Sequence, residues 1–406
     1  MLPPAMAGRL TLDFVKTETS AGLAPVAAAA LALILANSPL ASDYFALLAR
    51  PIPIQFGGFA QTAPVEAWVK DGLMAAFFLI VGLEIKFEVL RGELSSPRRL
   101  ATPILAAVGG MVVPALIYLA LNQGAGGALR GWPTPTATDI AFALAALSIA
   151  APGLPASLRL FLLTLAIADD IGAVGLIGVL YTEKIRWAMV AGGGAVLALL
   201  ASLSRVRRAP LLLYAVGFLL VWGFCLKSGI NTSVAGVACA LTVPVGARRT
   251  GGESMLTLFM DALHPWVAYG VLPLFAFTAA GIPLAGLGPR DVFSPVTVGV
   301  AVALLLGKPI GVFGVTTIAA VIKLGRRPTG STWLELLGVA MLTGVGFTMS
   351  LYLGGLAFRG GEVISQTEVR LGVIAGSLAS AAAGALVLSW ASARREAAGR
   401  SGTDDL

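Results

Sequence analysis

Charge is scarce in this chain. Asp, Glu, Lys and Arg make up 12% of its 406 residues, about half of the roughly 25% that a soluble globular protein carries. That scarcity excludes an ordinary soluble fold. Cysteine is nearly absent. Cys225 and Cys239 both sit in apolar stretches, at a spacing that fits neither a metal motif nor a disulfide framework, and both read as packing residues. The only histidine is His264. With Pro265 beside it at the first turn of a helix predicted over 260–281, it reads as a structural residue rather than a pH sensor. The short alternating segments of a transmembrane barrel are not the pattern here.

What the chain has in abundance is apolar sequence: 57% of residues, with a mean hydropathy of +0.88. Uncharged runs cover Thr19–Ser42, Leu100–Leu129, Ile140–Leu158, Leu336–Phe358 and Leu371–Ala393. A bilayer core needs about 20 mainly apolar residues per helix, so the fold class is an all-α polytopic membrane protein. Twelve spans are predicted, at roughly 19–42, 66–90, 100–123, 131–150, 158–181, 187–203, 210–226, 228–245, 260–281, 296–322, 333–358 and 368–392. The first span resembles the apolar part of a signal peptide, but eleven more spans follow and no basic start with a clean small-residue cleavage site precedes it, so it reads as a retained helix. The domain plan is a cytoplasmic N-terminal segment 1–18, a transporter domain 19–392 and a cytoplasmic tail 393–406. The net charge of +7 comes from basic residues in short connecting loops, which points to membrane topology and not to nucleic acid. With both termini in the cytoplasm, those residues divide two to one in favour of the inner side, as the positive-inside rule expects. The segment Pro51–Gln61, with Gly57-Gly58, reads either as an external hairpin or as an irregular loop.

The chemistry lies in the few ionisable residues inside the apolar spans. Asp139, Asp169, Asp170 and Lys308 each fall near the middle of a predicted span. A charged side chain at the bilayer centre costs about 2.5–3.5 kcal/mol on insertion scales. A single Lys–Asp pair could be a packing device, but three carboxylates against one ammonium call for a pathway or a bound ion. Carriers hold their substrates at this depth. Adjacent residues on a helix point about 100° apart. One of Asp169 and Asp170 can therefore pair with Lys308 while the other joins Asp139, with Thr138 and bare carbonyls as further oxygen donors.

Two spans carry interruptions at the same depth. Trp132-Pro133-Thr134-Pro135-Thr136-Ala137-Thr138 precedes Asp139, and Pro135 removes a donor from the helical ladder. Gly344-Val345-Gly346-Phe347-Thr348 lies at the centre of the eleventh span, where Gly344 and Gly346 permit an unwound stretch or, alternatively, close helix packing. Bare backbone at membrane depth is tolerated only where it is buried or lines a cavity. Interruptions in corresponding halves point to a binding site built from inverted repeats.

Taken together, several segments resemble the NhaA-type sodium/proton antiporter family over about residues 15 to 390. They are Phe78-Leu79-Ile80-Val81-Gly82-Leu83-Glu84-Ile85-Lys86, Thr138-Asp139-Ile140-Ala141-Phe142, Ala168-Asp169-Asp170-Ile171-Gly172-Ala173, His264-Pro265-Trp266, Gly307-Lys308-Pro309 and Gly344-Val345-Gly346-Phe347-Thr348-Met349-Ser350. The resemblance implies twelve helices, with 100–181 and 296–392 as inverted repeats and two discontinuous crossing helices, an architecture already described for this family. It implies exchange of Na⁺ or Li⁺ for H⁺ in a bacterial inner membrane, without a cofactor. By position, Asp170 matches the principal ion ligand and Asp139 its polar neighbour, together the Na⁺ ligands. Asp169 and Lys308 match the interacting carboxylate and lysine. Pro51–Gln61 resembles the family's homodimer contact. Asp71, Glu84 and Glu88 match positions tied to pH response. Departures are Phe87, Asn231 and Met260, where a well-known enteric member carries Arg, His and Glu, so its pH profile does not transfer.

Two rival functions compete with a pH-regulated, electrogenic antiporter of sodium and pH homeostasis. An intramembrane aspartyl protease also uses two membrane aspartates sharing a proton, but its Gly-x-Gly-Asp signature is absent and Lys308 has no role in it. A passive cation channel has no need of broken helices and a buried lysine. The antiporter reading makes the chain a secondary transporter and not an enzyme.

Overall fold

The computed structural model describes residues 4–56, 59–91, 97–182, 185–204, 210–246, 254–359 and 363–401. The Gly57-Gly58 turn and several loop residues used for orientation (Lys184, Arg205, Arg207, Arg208, Arg248 and Arg249) lie outside them. Among the described residues six helices are long and apolar enough to cross a membrane, and up to eight if each bent pair counts as one span. Shorter apolar helices occupy Ile140–Ala150, Trp187–Leu203 and Ser233–Thr242. The chain forms two compact units: Met1–Val26, Ser96–Asp169 and Gly286–Leu406 make one, and Ala27–Ser95 and Asp170–Ala285 the other.

The first unit is built on long helices packed through small residues. Its elements are α5 (Pro97–Leu121), α6 (Ile140–Ala150), the first part of α7 (Ala156–Leu180), α13 (Pro289–Val292), α14 (Pro295–Val302), α15 (Lys308–Val321), α16 (Trp333–Leu342), α17 (Phe347–Ala357) and α18 (Val363–Ser401). Where α5 crosses α15 the backbones touch. A Cβ on Gly311 would lie 2.2 Å from the Gly109 carbonyl oxygen, and one on Gly109 would lie 2.6 Å from that of Gly311. Without a hydrophobic drive between helices in lipid, this small-residue contact is what lets them approach. An apolar core of Leu147, Leu158, Leu162, Leu165, Leu336, Val339 and Leu342 fills the space beside it.

Helix α14 runs into α15 through a widened π-turn, Ala303–Gly307. Pro309 explains its position. Proline lacks an N–H and its ring crowds the carbonyl four residues back, here Leu305, which falls inside the wide turn. The same rule accounts for the π-turn Val267–Val271 ahead of Pro273.

The second unit contains the end of α1 (Pro4–Ala36), α2 (Ala41–Ala49), strands β1 (Pro51–Phe56) and β2 (Phe59–Pro64), α3 (Val65–Trp68) and α4 (Met74–Arg91). It also holds the rest of α7, α8 (Trp187–Leu203), α9 (Leu211–Ser228), α10 (Ser233–Thr242), α11 (Met255–Trp266) and α12 (Leu272–Ala280). β1 and β2 pair antiparallel from Pro51↔Pro64 to Phe56↔Phe59, so the segment is a strand pair and not an irregular loop.

Three expectations change. Helix α1 begins at Pro4, inside the stretch 1–18 expected to precede the first span, and stops at Ala36 instead of 42. The chain then bends by 115° into α2, at Asn37-Ser38-Pro39. Asn37 holds that bend: its Nδ2 donates to the Leu33 and Ile282 carbonyls, and its Oδ1 accepts from the Leu284 amide. His264 is not at a helix start. The Ser254 hydroxyl accepts from the Thr257 amide and starts α11 ahead of Met255, which puts His264 in the last turn of that helix. At the C-terminus, α18 continues to Ser401, into the stretch 393–406 expected as a tail.

Replacing Gly311 by leucine forces side-chain atoms into the α5 backbone and should destabilise the protein by about 3 kcal/mol. Gly314, one turn on, has nothing within 4 Å of a built Cβ, and Gly314→Leu should be neutral. Thermal unfolding of the two variants in detergent checks this, and equal midpoints would show that the crossing is not tight.

Candidate functional site

The site is assembled from the two interruptions. Residues 129–139 reach α6 through two short 3₁₀ turns, Leu129–Gly131 and Thr134–Thr136, with Pro135 buried in the second. α16 and α17 meet at a 44° bend over Thr343–Gly346. The two stretches lie against each other. The Asp139 amide donates to the Val345 carbonyl at 2.7 Å, and the Thr138 hydroxyl is 2.9 Å from the Thr343 carbonyl. Gly346 is needed for that approach, and Gly344 for the packing of the bend against Leu304 and Ser380. A Cβ on Gly344 would lie 2.3 Å from the Leu304 carbonyl oxygen, and one on Gly346 would lie 2.0 Å from Ser350 Oγ and 3.0 Å from the Ala137 carbonyl oxygen. They serve unwinding and packing at once.

Asp139 sits just outside helix α6, as its N-cap, with Oδ1 accepting from the Phe142 amide at 3.1 Å. Its Oδ2 accepts from the Thr348 amide at 3.1 Å and from the Thr348 hydroxyl at 2.5 Å. One carboxylate thus meets the N-terminal ends of two short helices, α6 and α17. Helix N-termini carry partial positive charge and unpaired amides, so a negative group there is favoured.

Lys308 and Asp169 form a fully buried ion pair, Nζ to Oδ2 at 2.5 Å, with both side chains 0% exposed. Thr138 completes the triangle. Its hydroxyl accepts from Lys308 Nζ at 2.9 Å and faces Asp169 Oδ2 at 2.7 Å. A hydroxyl has one proton to donate, so Thr138 can give it either to Asp169 or to the Thr343 carbonyl. Asp169 Oδ1 is buried with no hydrogen-bond partner. The stem of Lys308 runs beside Gly110, whose Cβ, if present, would lie 3.7 Å from the lysine Cδ.

The structure therefore brings Thr138, Asp139, Asp169 and Lys308 together, with Pro135, Gly344 and Gly346 forming the crossing. Asp170 is the next residue of α7 and is buried. Asp71, Glu84 and Glu88 belong to the other unit. The backbone carbonyl of Asp71 accepts from Trp222 Nε1 at 2.7 Å, and Glu84 and Glu88 are half-buried on α4. Of the departures, Phe87 and Met260 pack against that unit's apolar core around Leu83, Tyr214 and Phe259, and Asn231 Oδ1 accepts from the Ser233 amide at the start of α10. Thr348 and Thr343 were not singled out from sequence. The signal for Thr348 was present, because a hydroxyl two residues into a helix after a glycine break can bind a facing anion. Asp139 and Asp169 are held by different partners. Asp169 Oδ2 is held by Lys308 and Thr138, and Asp139 by amides and Thr348. Among the described residues no group of three or more His, Cys, Asp and Glu is placed to hold a metal ion.

The sequence profile of the family described as Na⁺/H⁺ antiporter 1 matches residues 12–388. The chain is 48% identical over 383 residues to the Na⁺/H⁺ antiporter NhaA of Rhodospirillum rubrum, covering 93% of this chain and 96% of that protein. It is 46% identical over 379 residues to the protein of the same name from Pseudomonas putida strain GB-1, covering 93% and 97%. It is 48% identical over 377 residues to that of Paramagnetospirillum magneticum, covering 93% and 95%.

Breaking a buried ion pair from one side leaves an uncompensated charge and destabilises by about 3–5 kcal/mol, whereas replacing both partners can be neutral. Lys308→Ala should unfold well below the wild type, and Asp169→Asn with Lys308→Met should recover most of the loss. Thermal unfolding in detergent reads both. A Lys308→Ala protein as stable as the wild type would remove the pair from its structural role.

Proposed function

The chain belongs to the Na⁺/H⁺ antiporter 1 family, and from that premise we propose that it expels cytoplasmic Na⁺ or Li⁺ in exchange for external H⁺, electrogenically, across the bacterial inner membrane. It is a secondary transporter without a cofactor, not an enzyme. The observation that carries the reading is the crossing of two interrupted helices at Asp139, with the buried Lys308–Asp169–Thr138 triangle directly beside it.

Asp170 is the principal cation ligand and proton carrier in this reading, and Asp139 supplies the second carboxylate. Sodium and protons compete for the same carboxylate oxygens, so loading one displaces the other. Arrival of the cation weakens the hold of Asp169 on Lys308, and the Thr138 hydroxyl can turn to the Thr343 carbonyl as that pair opens. More than one titrating group then takes part, and two protons enter for each Na⁺ expelled. A hydroxyl triangle around a lysine fits such a relay better than a pore or a proteolytic site.

Twelve spans complete the proposed architecture, with both termini in the cytoplasm. The order of long helix, interrupted helix and long helix recurs in 100–181 and 296–392, which supports inverted repeats. The strand pair β1–β2 exposes Ile52 and Ile54 and has free edges, which supports a homodimer through it. Asp71, Glu84 and Glu88 serve the pH response. With apolar Phe87 and Met260 packed nearby on the same unit, its midpoint differs from that of relatives with charged residues there.

Two outcomes follow. Asp170→Asn keeps the shape of the side chain and should abolish exchange in a dye-quench assay with Na⁺ and Li⁺; wild-type rate and affinity would contradict the assignment. In proteoliposomes with a valinomycin-clamped potassium potential and no pH gradient, sodium should move when the potential is imposed and reverse with its sign. At 100 mV one net charge contributes about 2.3 kcal/mol, a roughly fiftyfold bias in the sodium gradient. No response in either direction would exclude two-for-one exchange.

A further inference from the structure

Two hydroxyls beside the crossing have no partner. Thr134 Oγ1 and Ser350 Oγ are buried, both residues being 0% exposed, and neither makes a hydrogen bond. Thr232 Oγ1 and Tyr181 Oη are also buried without a hydrogen bond, but they belong to the other unit. Other hydroxyls on the protein's helices fold back onto their own backbone, as Thr164 does to the Leu160 carbonyl at 2.8 Å, Thr316 to Val312 at 2.7 Å and Thr317 to Phe313 at 2.8 Å. A buried polar group left unmatched is unfavourable, and such groups in native proteins commonly face a bound water or ion.

Their placement is specific. On α17, Gly346, Ser350 and Gly354 are spaced four apart and share one face. That face packs on the bare stretch Thr134–Ala137. The position of a Cβ on Gly346 is 2.0 Å from Ser350 Oγ and 3.0 Å from the Ala137 carbonyl oxygen, and a Cβ on Gly354 would lie 3.5 Å from Thr134 Oγ1. Ser350 therefore sits between the Asp139 end of the crossing and Thr134. Beyond Thr134 the lane ends where Arg130 lies over the Phe358 ring, 4.9 Å from its centroid. In the proposed orientation that end faces outward. The oxygens along the lane are neutral: two hydroxyls and a carbonyl outside any helical ladder. Neutral oxygens suit a hard monovalent cation that has shed part of its water and must be held weakly enough to move on.

We propose that Thr134 and Ser350 form a second, uncharged station for the transported cation, on the outer side of Asp139, which takes Na⁺ or Li⁺ between the carboxylates and the external solution. This rests on the antiport reading above. It predicts that the two hydroxyls set the apparent affinity for cation at the outer face and leave that at the inner face unchanged.

The test uses the full chain in proteoliposomes of both orientations, with NaCl or LiCl against choline chloride, and the variants Thr134→Val, Ser350→Ala, their combination, and Thr134→Ser as a hydroxyl-retaining control. Each single hydroxyl-removing variant should raise the KM for Na⁺ about fivefold at the outer face, the size of one lost neutral ligand, and the combined variant about twenty-fivefold, with the inner-face KM at the wild-type value and Thr134→Ser near wild type. In detergent without sodium the combined variant should be at least as stable as the wild type, because no hydrogen bond is lost, while the rise in thermal midpoint on adding Na⁺ should shrink. Unchanged outer KM and unchanged Na⁺-dependent stabilisation would overturn the station and leave the hydroxyls to water. Equal changes at both faces would overturn its outward placement. A wild type that shows no Na⁺/H⁺ exchange would overturn the antiport reading together with the station, whereas wild-type exchange with unaltered variants overturns the station alone.

Discussion

The ion pair between Lys308 and Asp169 is the constraint around which the first unit is arranged. Both side chains are completely buried, and removing two charges from water is unfavourable by several kcal/mol per ion even after relaxation. Mutual attraction offsets this only with good geometry and further hydrogen bonds. The structure supplies the Thr138 hydroxyl to both partners and a widened turn ahead of Pro309. An apolar pair of similar volume would stabilise a core as well or better. Its presence here is best understood through what the charges do, since a pair that can be opened by a third charge is a switch and an apolar contact is not.

The second carboxylate meets a different physical problem. Two helices begin inside the unit, at Ile140 and at Phe347, each leaving unpaired amides where no water is available to satisfy them. Asp139 answers both, accepting from the Phe142 amide on one side and from Thr348 on the other. Favourable helix-end interactions reach about 2 kcal/mol each, which anchors the carboxylate without a cationic partner among those contacts. Its charge is therefore held by dipoles and that of Asp169 by a lysine. Two differently compensated carboxylates thus stand side by side, and in the proposed cycle this difference is what separates cation loading from proton loading.

Much of this was legible in the sequence because charge inside apolar runs is rare and therefore informative. Asp139, Asp169, Asp170 and Lys308 stood out against long uncharged stretches, and the Pro-Thr-Pro and Gly-Val-Gly interruptions marked where helices stop. What composition could not give was partnership. The 100° between neighbours left open which of Asp169 and Asp170 faces Lys308. Thr348, which completes Asp139, is set apart from the many hydroxyls that simply bond their own helix only by its place two residues past the glycine break. The early start of α1 was hidden because its first turns are not apolar enough to read as a span. The bend at Asn37-Ser38-Pro39 was written in turn-forming residues that hydropathy alone passes over. Two of the π-turns, by contrast, are predictable in hindsight from Pro273 and Pro309, whereas the one at Val69–Leu73 has no proline after it.

The central claim is that sodium and protons compete for one set of buried carboxylates. It is tested most directly by adding NaCl to the purified protein in weakly buffered detergent solution and following the pH. The account predicts that sodium binding releases protons, close to two per protein, and that choline chloride at the same ionic strength releases none. Sodium binding, measured on the same sample by calorimetry, with no release of protons would contradict it.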